Sequence, residues 1–154
     1  MKIGKTFTFE AAHRLQRHDG KCHKLHGHSY RVDITIEGDD RTLVASGPST
    51  GMLIDFGHLK GWWEPLEKVL DHMTILESSD PLAALLRKSF DEGGVSGVTL
   101  FDKPPTAENI AAFLQANLTE WLRKRSPVLK VGYGIPMLAK VRVYEGGSSW
   151  AEAE

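Results

Sequence analysis

Two stretches of alternating apolar residues, separated by a short polar segment, set the strongest limit on how this chain can fold. From Lys5 to His13, Phe7, Phe9, Ala11 and His13 share one side of an extended backbone, and Thr6, Thr8 and Glu10 share the other. From Gly27 to Glu37 the period of two returns, with Tyr30, Val32, Ile34 and Ile36 on one face. The polar, glycine-containing stretch from Gln16 to Lys24 joins them, so the two strands are predicted to pair antiparallel.

The rest of the chain changes period. Turn-forming residues from Gly38 to Thr50 lead to a helical pattern that starts near Phe56 and carries Leu59, Trp62, Trp63, Leu66 and Leu70, with Pro65 as a kink or the true start. Pro81 to Phe90 reads as a short helix closed by Gly93-Gly94, and Val95 to Phe101 as a brief strand. Thr106 is the predicted N-cap of the clearest helix, whose stripe is Ile110, Phe113, Leu114, Leu118, Trp121 and Leu122. Met137 to Tyr144 alternates again as a last strand, and the Gly-Ser tail from about residue 147 reads as flexible. This order predicts an α+β fold, a four-stranded antiparallel sheet with helices on one face.

At 154 residues, 41% hydrophobic and 25% charged, residues 1–154 read as one domain with a real core. The 19 basic residues are balanced by 20 acidic ones, so the broad positive field of a nonspecific nucleic-acid or membrane-surface binder is missing. The expected partner is a small molecule. No apolar run approaches the roughly 20 residues of a membrane span, and Met1-Lys2-Ile3 leads straight into strand-like sequence, which predicts a cytoplasmic location. A single cysteine, Cys22, excludes an internal disulfide and calls for packing, metal binding or reactivity as its reason.

His26 and His28 are two apart at a strand start, so both imidazoles leave the same face. His13, at the end of the preceding strand, is brought alongside by the pairing. Three neutral imidazoles suit a tetrahedral Zn2+ with one position open, the pattern of a catalytic site, whereas a structural site is normally closed. His18, His23 and His58 stand in polar or helix-start contexts and read as solvated, although His23 offers an alternative ligand.

Cys22 has three readings: a small buried hydrophobe, a fourth ligand closing the zinc site, or a catalytic thiol. Asp71-His72 can form a proton shuttle, but on spacing alone the pair simply ends a helix, where a histidine gains from the macrodipole. Glu108 lies in a helix's first turn, where the dipole favours a carboxylate whatever its function. Glu145 ends a strand before Gly146-Gly147; it is either an exposed charge or a bidentate acceptor for paired N–H donors.

The segments Phe9-Glu10-Ala11-Ala12-His13-Arg14-Leu15, Cys22-x-x-x-His26-Gly27-His28, Asp55-Phe56, Leu70-Asp71-His72 and Pro105-Thr106-x-Glu108-Asn109 together resemble the superfamily of 6-pyruvoyltetrahydropterin and 6-carboxytetrahydropterin synthases. They occur in the family's order and cover the chain from about residue 5 to 146. The resemblance implies a tunnelling fold closed into a barrel by oligomerisation as trimers or paired trimers, with active sites at subunit junctions. It further implies zinc on His13, His26 and His28, proton abstraction by Cys22, a relay of Asp71 and His72, and pterin binding by Glu108 and Glu145. The implied substrate is 7,8-dihydroneopterin triphosphate. The three-residue gap between Cys22 and His26 looks like the carboxypterin branch, which also releases acetaldehyde and serves queuosine and other deazapurines. The sister branch yields the pyruvoyl pterin, and a noncatalytic zinc or pterin-binding protein is the reading from outside catalysis. Two departures stand out: a longer segment at about 77–104, and Gly146 where the family often has Thr.

Overall fold

The computed structural model describes residues 1–92, 97–129 and 137–154. The two alternating stretches form β1 (Lys2–His13) and β2 (His26–Glu37), antiparallel in a register that sets His13 opposite His26 and Ala11 opposite His28. A single turn of 3₁₀ helix at Lys21–His23 lies in their connection. Next come α1 (Phe56–Leu70), β3 (Met73–Glu77), α2 (Pro81–Glu92), β4 (Val98–Phe101), α3 (Ala107–Leu129), β5 (Leu138–Glu145) and β6 (Ser149–Ala153). The strands form one mixed sheet in the order β4-β3-β1-β2-β5-β6.

The α+β class holds, but the sheet is larger than the four antiparallel strands predicted. β1, β2, β5 and β6 are antiparallel neighbours, while β3 and β4 add in parallel beyond the end of β1. β3 has only five residues directly after a helix, too few for a period to show. β6 corrects the expectation of a flexible tail. Its ordering comes from partners on β5 rather than from its own Ala- and Glu-rich composition: Arg142 lies over the Trp150 ring at 4.0 Å and binds Glu152 at 2.9 Å, and Lys140 pairs with Glu154. The predicted Gly93-Gly94 stop and the first two residues of the predicted strand at Val95 lie outside the described residues.

The helix ends follow their caps. Asp55 accepts the Gly57 N–H at 2.7 Å at the start of α1, which runs through Pro65. Thr106 Oγ1 accepts the Asn109 N–H at 3.3 Å at the start of α3, as predicted. α1 ends at Leu70. The chain then turns sharply through His72, whose φ of 58° lies in the left-handed region, and enters β3.

One sheet face is dry and the other wet. Phe9, Tyr30, Val32, Ile34, Ile36, Val141 and Val143 pack with Leu59, Trp62, Trp63 and Leu66 of α1 and Ile110, Leu114 and Leu118 of α3. Phe9 stacks on Tyr30 with ring centroids 4.7 Å apart, and Phe7 on Trp63 at 4.8 Å. Each such aromatic pair is worth about 0.5–1.5 kcal/mol beyond the area it buries. Thr6, Thr8, Glu10, Ser29 and Arg31 face outward and are exposed. By strand parity, the dry face also carries His13, His26 and His28.

Candidate metal centre

The three histidines meet where β1 ends and β2 begins. One ring nitrogen from each lies within 4.8 Å of the other two, the one such group of metal-binding side chains among the described residues. His13 is 2% exposed, and burial holds its pKa below the ordinary value, against the opposing pull of the Pro105 carbonyl and Glu145. Gly27, between the other two, faces the opposite way; a Cβ there would stand 3.3 Å from the Ala11 carbonyl oxygen, so glycine permits the close strand approach.

Two backbone carbonyls orient the cluster. His13 Nδ1 lies 2.8 Å from the Pro105 oxygen, and His26 Nδ1 lies 2.7 Å from the Lys24 oxygen. A carbonyl only accepts, so each Nδ1 carries a proton, and in a neutral imidazole that leaves Nε2 with its lone pair free to bind a metal. Those two Nε2 atoms face each other at 3.1 Å. Two lone pairs at that distance repel unless a proton or a metal cation lies between them. The spacing is close to the roughly 3.3 Å edge of a tetrahedron built on zinc–nitrogen bonds of about 2.0–2.1 Å. The donor set therefore fits a zinc ion, with the second-sphere carbonyls that metal-bound histidines require.

Glu145 closes one side of the cluster. It pairs with Tyr30 across β2 and β5, and its Oε1 lies 3.3 Å from His13 Nε2 and 3.7 Å from His28 Nε2. Tyr30 donates its hydroxyl to the same oxygen at 3.2 Å. Burial, reinforced by Glu145, pushes the Tyr30 pKa far above its ordinary value, so the phenol remains a neutral donor. Sequence reasoning treated Tyr30 as core alone; its parity with His26 and His28 was the available signal.

The remaining predicted site residues are placed differently. Cys22 is half-buried in the 3₁₀ turn, with its carbonyl accepting the Leu15 N–H at 2.9 Å, and it is not a member of the histidine group. Asp71 and His72 form a real pair: His72 Nδ1 lies 2.7 Å from Asp71 Oδ2, and Asp71 Oδ1 accepts the Glu10 N–H at 2.8 Å. That backbone bond is the main reason the Asp71 carboxyl stays below its usual pKa. His72 lines a cavity of about 410 Å³ together with Glu10, Ser29 and His28, and among the described residues no hydrogen bond or ion pair joins it to the three histidines. Glu108 is exposed in the first turn of α3. His18 and His23 are exposed and bonded to the backbone of Gly20, apart from the centre.

A curled mixed sheet with a helix-covered face and a three-histidine centre at one end of its central hairpin describes the tunnelling-fold pterin synthases. The chain belongs to the 6-pyruvoyl tetrahydropterin synthase family, whose model matches residues 2–154. It is 37% identical over 128 residues to the 6-carboxy-5,6,7,8-tetrahydropterin synthase of Synechocystis sp., a match covering 78% of this chain and 98% of that protein. It is 30% identical to the enzyme of the same name from Aquifex aeolicus, over 98% of this chain and 96% of that one. Among solved structures, an uncharacterized protein from Wolinella succinogenes superposes with a TM-score of 0.70 at 26% identity, covering 99% of this chain and 97% of that one. A Plasmodium vivax 6-pyruvoyltetrahydropterin synthase, at 20% identity and a TM-score of 0.66 over 99% and 97% of the two chains, shares the fold. Among the described residues, no helix is long and apolar enough to cross a membrane.

Proposed function

We propose that this protein is a zinc-dependent 6-carboxytetrahydropterin synthase, converting 7,8-dihydroneopterin triphosphate and water to 6-carboxy-5,6,7,8-tetrahydropterin, acetaldehyde and triphosphate. The observation that carries the reading is the pair of Nε2 lone pairs of His13 and His26 converging at 3.1 Å beside His28. His13, His26 and His28 would hold a zinc ion, which would supply Lewis-acid polarisation of the substrate's side-chain oxygens.

The chain's own groups do the rest. Cys22, as thiolate, takes a proton from the substrate carbon, a role its half-buried position outside the histidine group leaves open. Glu145, braced by Tyr30, and Glu108 receive the N–H donors of the pterin ring. Asp71 orients His72 through their 2.7 Å bond, and His72 Nε2 carries the proton. His72 shares its cavity with His28, Glu10 and Ser29, which supports a relay reaching a substrate held at the histidines, and assembly as a trimer or paired trimer would close that cavity against a neighbouring chain.

The short Cys22–His26 spacing and the names of the relatives both favour the carboxypterin branch over the pyruvoyl one, and a place in queuosine or deazapurine synthesis goes with it. A closed, noncatalytic site is disfavoured because Cys22 stands outside the ligand group. The test is incubation of zinc-loaded protein with 7,8-dihydroneopterin triphosphate, following pterins by mass and acetaldehyde by a coupled assay. Carboxypterin with acetaldehyde supports the assignment, pyruvoyl pterin moves it to the sister reaction, and no turnover with zinc bound rejects both.

A further inference from the structure

Two carboxylates with no part in the chemistry above are buried together in the turn between β3 and α2. Glu77 and Asp80 are among the few buried polar side chains of the molecule, at 8% and 2% exposure. Ionised groups at such depth are costly unless paired and hydrogen-bonded. Besides bonds within the turn itself, both carboxylates are met by side chains of one segment, the one that follows His13 and leads to Cys22. Arg14 Nε donates to Asp80 Oδ2 at 2.7 Å, and its Nη2 meets Oδ1. Gln16 Nε2 reaches Glu77 Oε2 at 3.1 Å and Ser79 Oγ at 3.0 Å, and Arg17 Nη2 reaches Glu77 Oε1 at 2.6 Å.

The turn is itself held by hydrogen bonds. Asp80 caps α2 by accepting the Leu82 N–H at 2.8 Å, and Ser78 N–H is held by the Phe101 carbonyl at 2.7 Å. The segment it grips has backbone bonds of its own, from His18 N–H to the Leu15 carbonyl at 2.9 Å and from Lys24 N–H to the Lys21 carbonyl at 3.1 Å. Leu15 N–H to the Cys22 carbonyl at 2.9 Å ties the gripped residues directly to the cysteine. Charge-assisted contacts from Arg14, Gln16 and Arg17 thus tie the start of the segment between His13 and Cys22 to this turn.

We infer that Glu77 and Asp80 are positioning residues for Cys22: the β3–α2 turn is the anchor of the segment that carries the thiol. The inference rests on the catalytic reading of Cys22, and it gives the opening of the long 77–104 segment a task. It acts through placement, so it predicts a defect in turnover with little change in substrate or metal binding.

The experiment compares Glu77→Gln, Asp80→Asn and, as a surface variant that leaves both buried carboxylates in place, Arg17→Ala, each with and without Cys22→Ala. In the Cys22 protein, kcat is expected to fall about tenfold for the two carboxylate variants and about threefold for Arg17→Ala, with KM within about twofold and one zinc per chain throughout. In the Cys22→Ala background the same changes are expected to alter the residual rate by less than about twofold, because their effect runs through the missing thiol. Equal losses in both backgrounds, or none in either, overturn the inference. A second readout needs no substrate: alkylation of Cys22 by iodoacetamide in the zinc-loaded protein is expected to quicken about fivefold in all three variants as the segment loosens. An unchanged alkylation rate overturns the inference, whereas failure of the wild type to turn over the pterin counts against the proposed reaction alone.

Discussion

His13 and His26 face each other directly across β1 and β2, each with its Nδ1 held by a backbone carbonyl and the two Nε2 atoms 3.1 Å apart. With both imidazoles neutral the contact favours a cation, so the strand pairing that builds the core also brings together a group of side chains that could hold one.

Removing a ligand tests that demand. His28→Ala and His26→Ala are each expected to weaken zinc binding by about 100-fold or more, since even changes outside the ligand set cost 10–100-fold in such sites. Zinc per chain by elemental analysis, with competition against a chromogenic chelator, gives the values. Full occupancy in both variants sinks the assignment.

Cys22→Ala separates chemistry from coordination. Turnover is expected to drop by about 10²–10⁴-fold, the range for a lost general base, while zinc content and the thermal midpoint stay near wild type. Loss of the metal together with collapse of the fold restores the reading of Cys22 as a ligand.

Glu145→Gln keeps the shape of the side chain and removes its charge. KM for the pterin is expected to rise about tenfold or more, and Tyr30→Phe, which deletes only the bracing hydroxyl, to produce a smaller rise. Steady-state kinetics on both variants, with zinc content as a control, checks the order of the two effects.

Acid stability follows from the buried turn. Arg14 holds the Asp80 carboxyl below its usual value of 3.8, and hydrogen bonding, led by Gln16, holds Glu77 below 4.5. Both folded values are depressed, so their contribution is complete above those usual values and is lost as the pH falls through the folded ones. Urea midpoints measured between about pH 6 and about pH 3 should therefore fall less steeply for Asp80→Asn than for wild type, because the variant has already given up that contribution. Parallel curves contradict the expectation.

The core offers a purely structural check. Phe9 is fully buried between Tyr30 and Trp63, and Phe9→Ala is expected to cost about 3–5 kcal/mol in chemical denaturation.

What could be read in advance depended on period and on motif. β1, β2, α3 and β5 announce themselves because their apolar residues repeat over eight or more positions, and the same parity put the three histidines on one face. β3 and β6 do not, being five residues each and ordered by their neighbours. The partnership of Glu77 and Asp80 with Arg14 and Arg17 spans about sixty residues of sequence, and no local pattern encodes it. Glu145 was legible as a strand-end carboxylate, yet its closeness to His13 and His28 depends on β5 lying next to β2, a matter of sheet order.

His72 stands at φ 58° without being glycine. An ordinary side chain there costs roughly 1–2 kcal/mol that glycine would not, so His72→Gly is expected to relax the backbone, at the loss of the bond to Asp71. Selection for robustness and selection for catalysis pull in opposite directions at this one position. A library screened for heat tolerance alone would tend to discard the imidazole, whereas one screened for turnover would retain it and accept the lower melting point.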